Sequence, residues 1–399
     1  IGPARSGESY LNIPAVVQAA EQNDCCAIHP GYGFLAENAL FAEVCEQAKM
    51  SFIGPTAAAI RAMGDKATAR ETMRAAGLPV IPGSQGTLPD LETGRRVAEE
   101  IGFPVLLKAT AGGGGRGMRR VDRAEEFEPR YREATLEAEK AFGDPRLYME
   151  KYIVDGRHIE FQVLGDAYGE VIHLGERECS AQRRHQKLVE ESPSPVIDAE
   201  TRHDLGEKIR VALRAIGYRN AGTVEFFRDR DGSLYFMEMN ARLQVEHPVT
   251  EMVTGRDLVA EQIRIAAGEP LSFRQDEIEW NGHAIECRIN AEDPFHDFRP
   301  SPGEVTAFSP PEEIPGGRVR VDTHVRAGYR IPVHYDSLIA KLIVHGADRE
   351  AARIGTIAAL QGFGVEGVET TIPVHLRIME DPEFAAGRYD TGFIARLLG

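Results

Sequence analysis

The densest set of reactive side chains lies in Phe236-Met-Glu-Met-Asn-Ala-Arg-Leu-Gln-Val-Glu-His-Pro248. Read at every second residue, Glu238, Asn240, Arg242, Gln244 and Glu246 share one parity, and Met237, Met239, Ala241, Leu243 and Val245 share the other. An extended strand sends these two sets to opposite faces, one apolar and one a row of carboxylate, amide, guanidinium, amide and carboxylate. A solvated strand face is the plainer alternative, but such faces favour Thr, Lys and Ser. Oxygen donors beside an arginine suit a hard cation and an anion held together.

The chain just before this stretch extends the argument. Phe226 to Arg230 and Ser233 to Met237 flank Asp231-Gly232, a dipeptide that favours a tight type I′ hairpin turn. That turn sets Glu225 opposite Glu238, and two carboxylates across a ladder repel unless a cation lies between them. Asn240 adds a third oxygen on the same face. A bulged three-residue loop would shift this pairing by one residue.

Three further sets are notable. Ala111-Gly-Gly-Gly-Gly-Arg-Gly117 follows a strand ending at Lys108. Its backbone amides can approach phosphate oxygens closely, although no Gly-Lys-Ser/Thr follows to make a Walker loop, and a flexible connector is the alternative. Cys179 to Lys187 is a basic cluster in an acidic chain, suited to an anion, to a nucleic-acid patch, or simply to solvent. His158 and His185 are ambiguous alone. In His283 to Pro294, Ala284, Glu286, Arg288 and Asn290 share a face, so Arg288 either reaches a site or pairs with Glu286.

The elements that must position these groups alternate. Helical spacing covers Tyr10 to Gln22 and Ala36 to Lys49, with short strands at 25–30 and 51–55. Ala57 to Ala76 reads as helix broken at Met63-Gly-Asp-Lys66. A helix over Leu91 to Ile101 leads to a buried strand at Pro104 to Lys108. Strands follow at Leu147 to Val154 and Glu160 to Leu164, a helix at Asp198 to Ile216, a hairpin at Thr223 to Asn240, and a helix at Leu258 to Gly268. Strands dominate after His283, before a helical tail. This is α/β architecture, with function expected in loops at the carboxyl ends of strands.

Composition narrows the class. With 399 residues, two or three domains are expected. A net charge of −16 argues against broad nucleic-acid binding. Five cysteines without metal spacing suggest reduced thiols in a cytoplasmic protein. No apolar run reaches membrane-spanning length, and no secretory signal is visible.

Taken together, the motifs resemble those of the biotin carboxylases, within the ATP-grasp superfamily. The resemblance rests on His29-Pro-Gly-Tyr-Gly-Phe-Leu-Ala-Glu-Asn, Met63-Gly-Asp-Lys66, Lys108-Ala-Thr-Ala-Gly-Gly-Gly-Gly-Arg-Gly117, Met149-Glu-Lys-Tyr, Gln182-Arg-Arg-His-Gln-Lys187, Glu238 to Glu251, Glu286-Cys-Arg-Ile-Asn-Ala-Glu-Asp-Pro294 and Tyr335-Asp-Ser. These run in family order over almost the whole chain. The resemblance implies an ATP-grasp fold of α/β (α+β) class. Its parts would be a truncated Rossmann-like domain at 1–55, a helical linker at 56–80, a glycine-loop lid at 81–152, and a catalytic domain at 153–399 whose carboxylase-specific part starts near 283.

It also implies a reaction. ATP activates bicarbonate as carboxyphosphate, and the carboxyl group passes to N1 of biotin on a carrier protein. This is the first half-reaction of acetyl-CoA or acyl-CoA carboxylase in fatty acid biosynthesis. By resemblance, Lys66 and Lys108 hold ATP phosphates under a lid that includes Gly113, Gly114, Gly115, Arg116 and Gly117. Glu150, Lys151 and Ile153 line the adenine pocket, and His158, Gln182 and His185 contact the nucleotide. Glu225, Glu238 and Asn240 surround magnesium, with manganese as its substitute. Arg242, Gln244 and the Val245 backbone hold bicarbonate beside Lys187, Glu246 is its base, and Arg288 stabilises the biotin enolate. Implied partners are a biotin carboxyl carrier protein, carboxyltransferase subunits and a second copy of the chain, with no nucleic acid and no membrane.

The chain departs from the family pattern in several places. It lacks roughly fifty residues with which the family usually begins, so a fragment is expected. Ala241 and Thr371 stand where Thr and Asn are common, and no Met-Lys-Met biotin-attachment segment is present. The alternative is the amino-terminal biotin carboxylase part of pyruvate carboxylase or another fused carboxylase. A non-catalytic nucleotide-binding regulator and an ATP-grasp ligase for a different acid both fit poorly, because Glu238 and the Arg242 to Glu246 stretch are intact.

Overall fold

The computed structural model describes residues 1–84, 86–110 and 117–399. Gly113, Gly114, Gly115 and Arg116 therefore lie outside the described residues. The chain divides into two compact units, one of Ile1–Leu78, Arg157–Phe226 and Glu238–Gly399, the other of Pro79–Gly156 and Phe227–Met237.

The larger unit begins with a parallel pair, β1 (Ala27–Ile28) and β2 (Ser51–Phe52), beside α1 (Ile13–Gln22) and α2 (Ala39–Gln47). Then α3 (Ala57–Gly64) breaks at Asp65, whose carboxylate accepts from the Thr68 amide at 2.7 Å and so starts α4 (Lys66–Ala75).

In the smaller unit α5 (Leu91–Ile101) starts at an Asp90 cap that accepts from the Thr93 amide, and Gly102 at φ +78° ends it. Strand β3 (Val105–Ala109) lies between β4 (Met118–Val121) and β5 (Leu147–Lys151), antiparallel to both. Helix α6 (Phe127–Phe142) closes the core with Phe127, Ala134 and Ala138. Neither β4 nor α6 was foreseen. The α6 stripe is mostly alanine, so its apolar periodicity is faint.

An eight-stranded sheet runs through the larger unit. Its members are β6 (Arg157–Gly165), β7 (Val171–Arg183), β8 (Gln186–Ser192), β9 (Asn220–Arg228), β10 (Leu234–Asn240) and β11 (His283–Asn290). Two short ladders, β12 (Glu292–Asp293) with β13 (Arg299–Pro300) and β14 (Ala307–Ser309) with β17 (Gly364–Glu366), stand apart from it. With β15 (Gly317–Thr323) and β16 (Leu338–Gly346), the order is β10-β9-β6-β7-β8-β11-β16-β15. Helix α7 (Ala199–Ala215) packs on β7 and β6, and α9 (Leu258–Ala266) adds Leu258 and Ile265 to a core shared with Leu164, Ile172 and Leu174. Helix α8 (His247–Thr254) packs against β7, β8, β11 and β16, with Val249 and Val253 meeting Ala284 and Ile343. On the other side, Ile285, Cys287 and Ile289 join the core beneath α10 (Arg349–Gly362). Alternation in β11 thus sends Glu286 and Arg288 toward the α8 side. Chemistry gathers on this sheet face rather than only in loops at strand ends.

Buried polar groups tie the sheet to the carboxyl-terminal helices. Glu191 on β8 accepts from His283 Nε2 at 2.6 Å, from Arg349 Nε at 2.7 Å and from the Tyr389 hydroxyl at 2.5 Å. Burial works to raise its carboxyl, but His283 and Arg349 win and hold it at about 2. A depressed folded pKa adds stability above the unfolded value near 4.5 and loses it as pH falls toward 2. That contribution is about 3 kcal/mol at neutral pH. Denaturation midpoints should therefore fall between about pH 5 and 2, with a shallower slope in Glu191→Gln. Equal slopes would remove Glu191 from the acid response.

Candidate active site

The polar row does not stay on one strand. β10 ends at Asn240, residues 241–246 turn, and α8 starts at His247 with Pro248 in its first turn. Glu246 sits at the helix cap with φ −81° and ψ 8°, far from extended. The expectation of one strand from Phe236 to Glu246 is corrected accordingly: a proline fixed near helical φ suits a helix start rather than a continuing ladder. The tight Asp231-Gly232 turn is also corrected. Asp229 N donates to Ser233 O at 2.8 Å, which leaves Arg230, Asp231 and Gly232 as a three-residue loop with Gly232 at φ +93°.

The turn is held from outside. Glu37 accepts from Ala241 N and from Arg242 Nε, each at 2.8 Å, and Arg242 Nη2 donates to Asn240 Oδ1 at 3.0 Å. Lys341 Nζ donates to the Val245 carbonyl at 2.9 Å. Gln244 Nε2 and Asn240 Nδ2 each donate to Glu225 Oε1 at 2.7 Å, and His158 Nε2 meets Glu225 Oε2 at 3.0 Å.

Beneath the turn lies a buried array of charges. Lys187 Nζ donates to Glu246 Oε1 and Glu160 Oε2, each at 2.5 Å, with Glu225 Oε1 3.8 Å away. Arg288 Nη2 reaches Glu246 Oε2 at 2.8 Å, and its Nε reaches Glu190 Oε1 at 2.6 Å. Of the two alternatives for Arg288, the structure shows hydrogen bonds to Glu246 and Glu190 and none to Glu286. Arg177, fully buried, donates to Glu160, Gln162, Thr250, Thr223 and Gln244 at 2.6–3.3 Å. All five of its donors have acceptors.

Electrostatics follow from this geometry. Burial works to raise the Glu246 carboxyl, but Lys187, Arg288 and Arg177 hold it well below the ordinary range. Burial opposes the Lys187 charge, yet the Cys179 sulfur and the carboxylates of Glu160, Glu246 and Glu225 hold its pKa well above the usual value. Glu225 is kept at about 2, against burial, by Lys187 and His158. Glu238 goes the other way, raised by burial and by the Glu225 charge. It is half-exposed, and Lys66 Nζ stands 3.7 Å from its Oε2. A divalent cation there would answer the repulsion between Glu225 and Glu238, and an all-oxygen donor set suits magnesium. Ligand atoms of His158, Glu160 and Glu225 also lie within 4.8 Å of one another, but Glu160 is already saturated by Arg177 and Lys187.

The other expected residues are placed as follows. Gln182 Nε2 is 3.5 Å from His158 Nδ1. Arg184 and His185 both have positive φ and form the two-residue turn between β7 and β8, so the basic cluster is a hairpin. Its Arg183 and Arg184 are engaged by Asp297. In the smaller unit, Lys108 and Glu150 form an ion pair, and Ile153 is half-buried. The Lys151 ammonium donates to the carbonyls of Gly102 and Phe103 at 2.8 and 3.1 Å, so its side chain caps the end of α5. Gly117 has φ +73°, and a Cβ there would lie 2.9 Å from the Ala109 Cβ.

Sequence reading missed Glu37, Glu160, Arg177, Glu190 and Lys341. A signal existed for Arg177, which interrupts the alternation of Glu176 to Gln182 by standing on the same parity as Cys179 and Ala181, but both faces of β7 are buried, which hides the usual apolar period.

Comparison with known proteins agrees with the geometry. The model for the biotin carboxylase N-terminal domain matches residues 1–60, that for the ATP-binding domain of the carbamoyl-phosphate synthase L chain matches 65–274, and that for the biotin carboxylase C-terminal domain matches 286–396. The chain is 55% identical over 397 residues to a biotin carboxylase of a Nostoc species, covering 100% of this chain and 88% of the relative. A Campylobacter jejuni biotin carboxylase complexed with β-γ-ATP superposes with TM-score 0.92 at 51% identity, covering 99% of this chain and 88% of that one. The biotin carboxylase domain dimer of Hydrogenobacter thermophilus 2-oxoglutarate carboxylase, holding MgADP, ADP and bicarbonate, gives 0.90 at 51%, covering 98% and 86%. With this likeness over its whole length and this arrangement of lysine, arginine and carboxylate around Glu246, the chain belongs to the biotin carboxylase family.

Proposed function

We propose that the chain carboxylates biotin on a carrier protein, using ATP to activate bicarbonate, as the first half-reaction of an acyl-CoA carboxylase. The observation that carries this reading is the buried Glu246 carboxylate held between Lys187 and Arg288 beside the Arg242–Gln244 turn. Bicarbonate is a poor nucleophile until its proton leaves, and Glu246 is assigned as the base that takes that proton. Arg242, Gln244 and the Val245 backbone then hold the anion while its oxygen bonds the γ-phosphorus and ADP departs. Lys187 offsets the charge of the resulting carboxyphosphate. Arg288 steadies the biotin enolate as N1, its proton passing to the departing phosphate, bonds the carboxyl carbon and the carbon–oxygen bond to phosphate breaks.

The residues present suit the nucleotide and its magnesium. Lys66, Lys108 and the loop from Gly113 to Gly117 are assigned to phosphates. Glu150, Lys151 and Ile153 are assigned to adenine, Lys151 through its backbone because its ammonium is engaged. His158, Gln182 and His185 are assigned to the nucleotide. Glu225, Glu238 and Asn240 are assigned to magnesium, whose charge would neutralise the transferring phosphoryl group.

Among the described residues all five cysteines are free and no helix is long and apolar enough to cross a membrane. The likeness to a biotin carboxylase domain dimer supports a homodimer, and the family supports a cytoplasmic enzyme working with a biotin carboxyl carrier protein and carboxyltransferase subunits. A second reading, the biotin carboxylase part of a carboxylase for a 2-oxo acid, is favoured by the Hydrogenobacter likeness.

The test is ATP- and bicarbonate-dependent carboxylation of free biotin by the chain. Phosphate release that depends on both bicarbonate and biotin is the expected result. Folded, ATP-binding protein that shows none would overturn the assignment.

A further inference from the structure

Strands β8 and β11 run antiparallel with Glu190 directly opposite Glu286. Side chains facing each other across such a ladder have Cβ atoms about 5 Å apart, so these carboxyl groups are neighbours. Both are fully buried. Glu190 Oε1 accepts from Arg288, but Glu190 Oε2 and both oxygens of Glu286 have no hydrogen-bond partner. Two buried carboxylates served by one guanidinium are a costly arrangement. A single proton relieves it. Placed on Glu286, it gives an O–H that can donate to Glu190 Oε2, while Glu190 stays ionised against Arg288.

The surroundings have the matching charge. Lys187 faces the pair from β8, and Lys341 faces it from β16, held by the Val245 carbonyl and 3.4 Å from Asp322. Glu246 faces it from the cap of α8. His247 is kept neutral by burial and by Lys341, at about 3, and Glu251 is engaged by Arg320. Arg177 and Cys179 on β7 lie on the Glu160 and Glu246 side, Cys287 is a neutral thiol on the opposite face of β11, and Arg349 of α10 is bound to Glu191. Burial pushes both carboxyls up, Glu190 to about 7 against the pull of Arg288, and Glu286 well above the ordinary range against Lys341. With one proton on the pair, its single negative charge and that of Glu246 balance Arg288 and Lys187. Without it, the extra charge draws Arg288 away from Glu246.

We propose that Glu190 and Glu286 form a buried acid pair that shares one proton and holds Arg288 against Glu246, making both positioning residues for carboxylation and their loss of the proton its alkaline limit. This rests on the reaction proposed above.

Infrared difference spectra between neutral and alkaline pH test the proton directly, alongside pH profiles of biotin carboxylation. Wild type should show a protonated-carboxyl carbonyl band at neutral pH that disappears in alkali. Glu286→Gln and the apolar Glu286→Met should lack it, and so should Glu190→Gln, because Glu286 then ionises against Arg288. The alkaline limb of kcat should move to higher pH in Glu286→Gln. Glu190→Gln should lose about 10²-fold in kcat through a misplaced Arg288, with KM for ATP unmoved. No band in wild type, a band persisting in both Glu286 variants, or an unmoved alkaline limb overturns the proposal. A normal band in a wild type that fails to carboxylate biotin would instead overturn the reaction and leave the pair standing.

Discussion

Glu246→Gln is expected to reduce biotin carboxylation by about 10²–10⁴-fold while ATP binding persists. The change keeps the shape of the side chain and removes both its charge and its basicity. In the structure Lys187 and Arg288 each bond one Glu246 oxygen. Two cations make an isolated carboxylate a weak base, which is why its pKa lies so low. In the proposed reaction, bicarbonate entering beside Arg242 and Gln244 would compete for those cations and return basicity to Glu246. The carboxylate is thus ionised throughout the working pH range, and an acid limb in the free enzyme should not report its titration. Nucleotide titration with single-turnover phosphate release separates binding from chemistry. Turnover within threefold of wild type, which is about 0.7 kcal/mol, would remove Glu246 from the role of base.

The second large effect is on stability. Arg177→Met is expected to cost about 3–5 kcal/mol, because truncation leaves Glu160 buried with Lys187 as the one ion-pair partner left to it among the described residues. It also orphans acceptors on Gln162, Thr250, Thr223 and Gln244, drawn from β6, α8, β9 and the turn. Arg177→Lys should fail nearly as badly, since one ammonium with three donors cannot reach acceptors arranged around a planar fork. Chemical denaturation at pH 7 reads the loss as a lower midpoint. A loss under about 1 kcal/mol would mean that the surrounding groups find other partners or water.

Short-range features were legible from residues alone. Asp90 before Leu91, and Gly102 after Ile101, mark a helix that forms as expected because caps act within one turn. Asp65 breaks the long helical segment into α3 and α4 for the same local reason. The parity of Glu238 and Asn240 is real because both lie on β10. It fails after Asn240, where Pro248 and the grip of Glu37 on Ala241 and Arg242 bend the chain. Glu37 lies some two hundred residues away, and no local pattern could reveal that contact.

What the sequence determined by itself was the family, through long motifs in order, and hence the chemistry to look for around Glu246. What the tertiary structure alone decided is which charges meet. Glu160, Arg177, Lys187, Glu190, Glu246, Arg288 and Lys341 come from strands and a helix cap far apart in the chain, and antiparallel registers such as Glu190 with Glu286 bring them together. Register depends on long-range pairing and core packing, so the neighbours of a buried charge, and with them its protonation, emerge only when the sheet has formed.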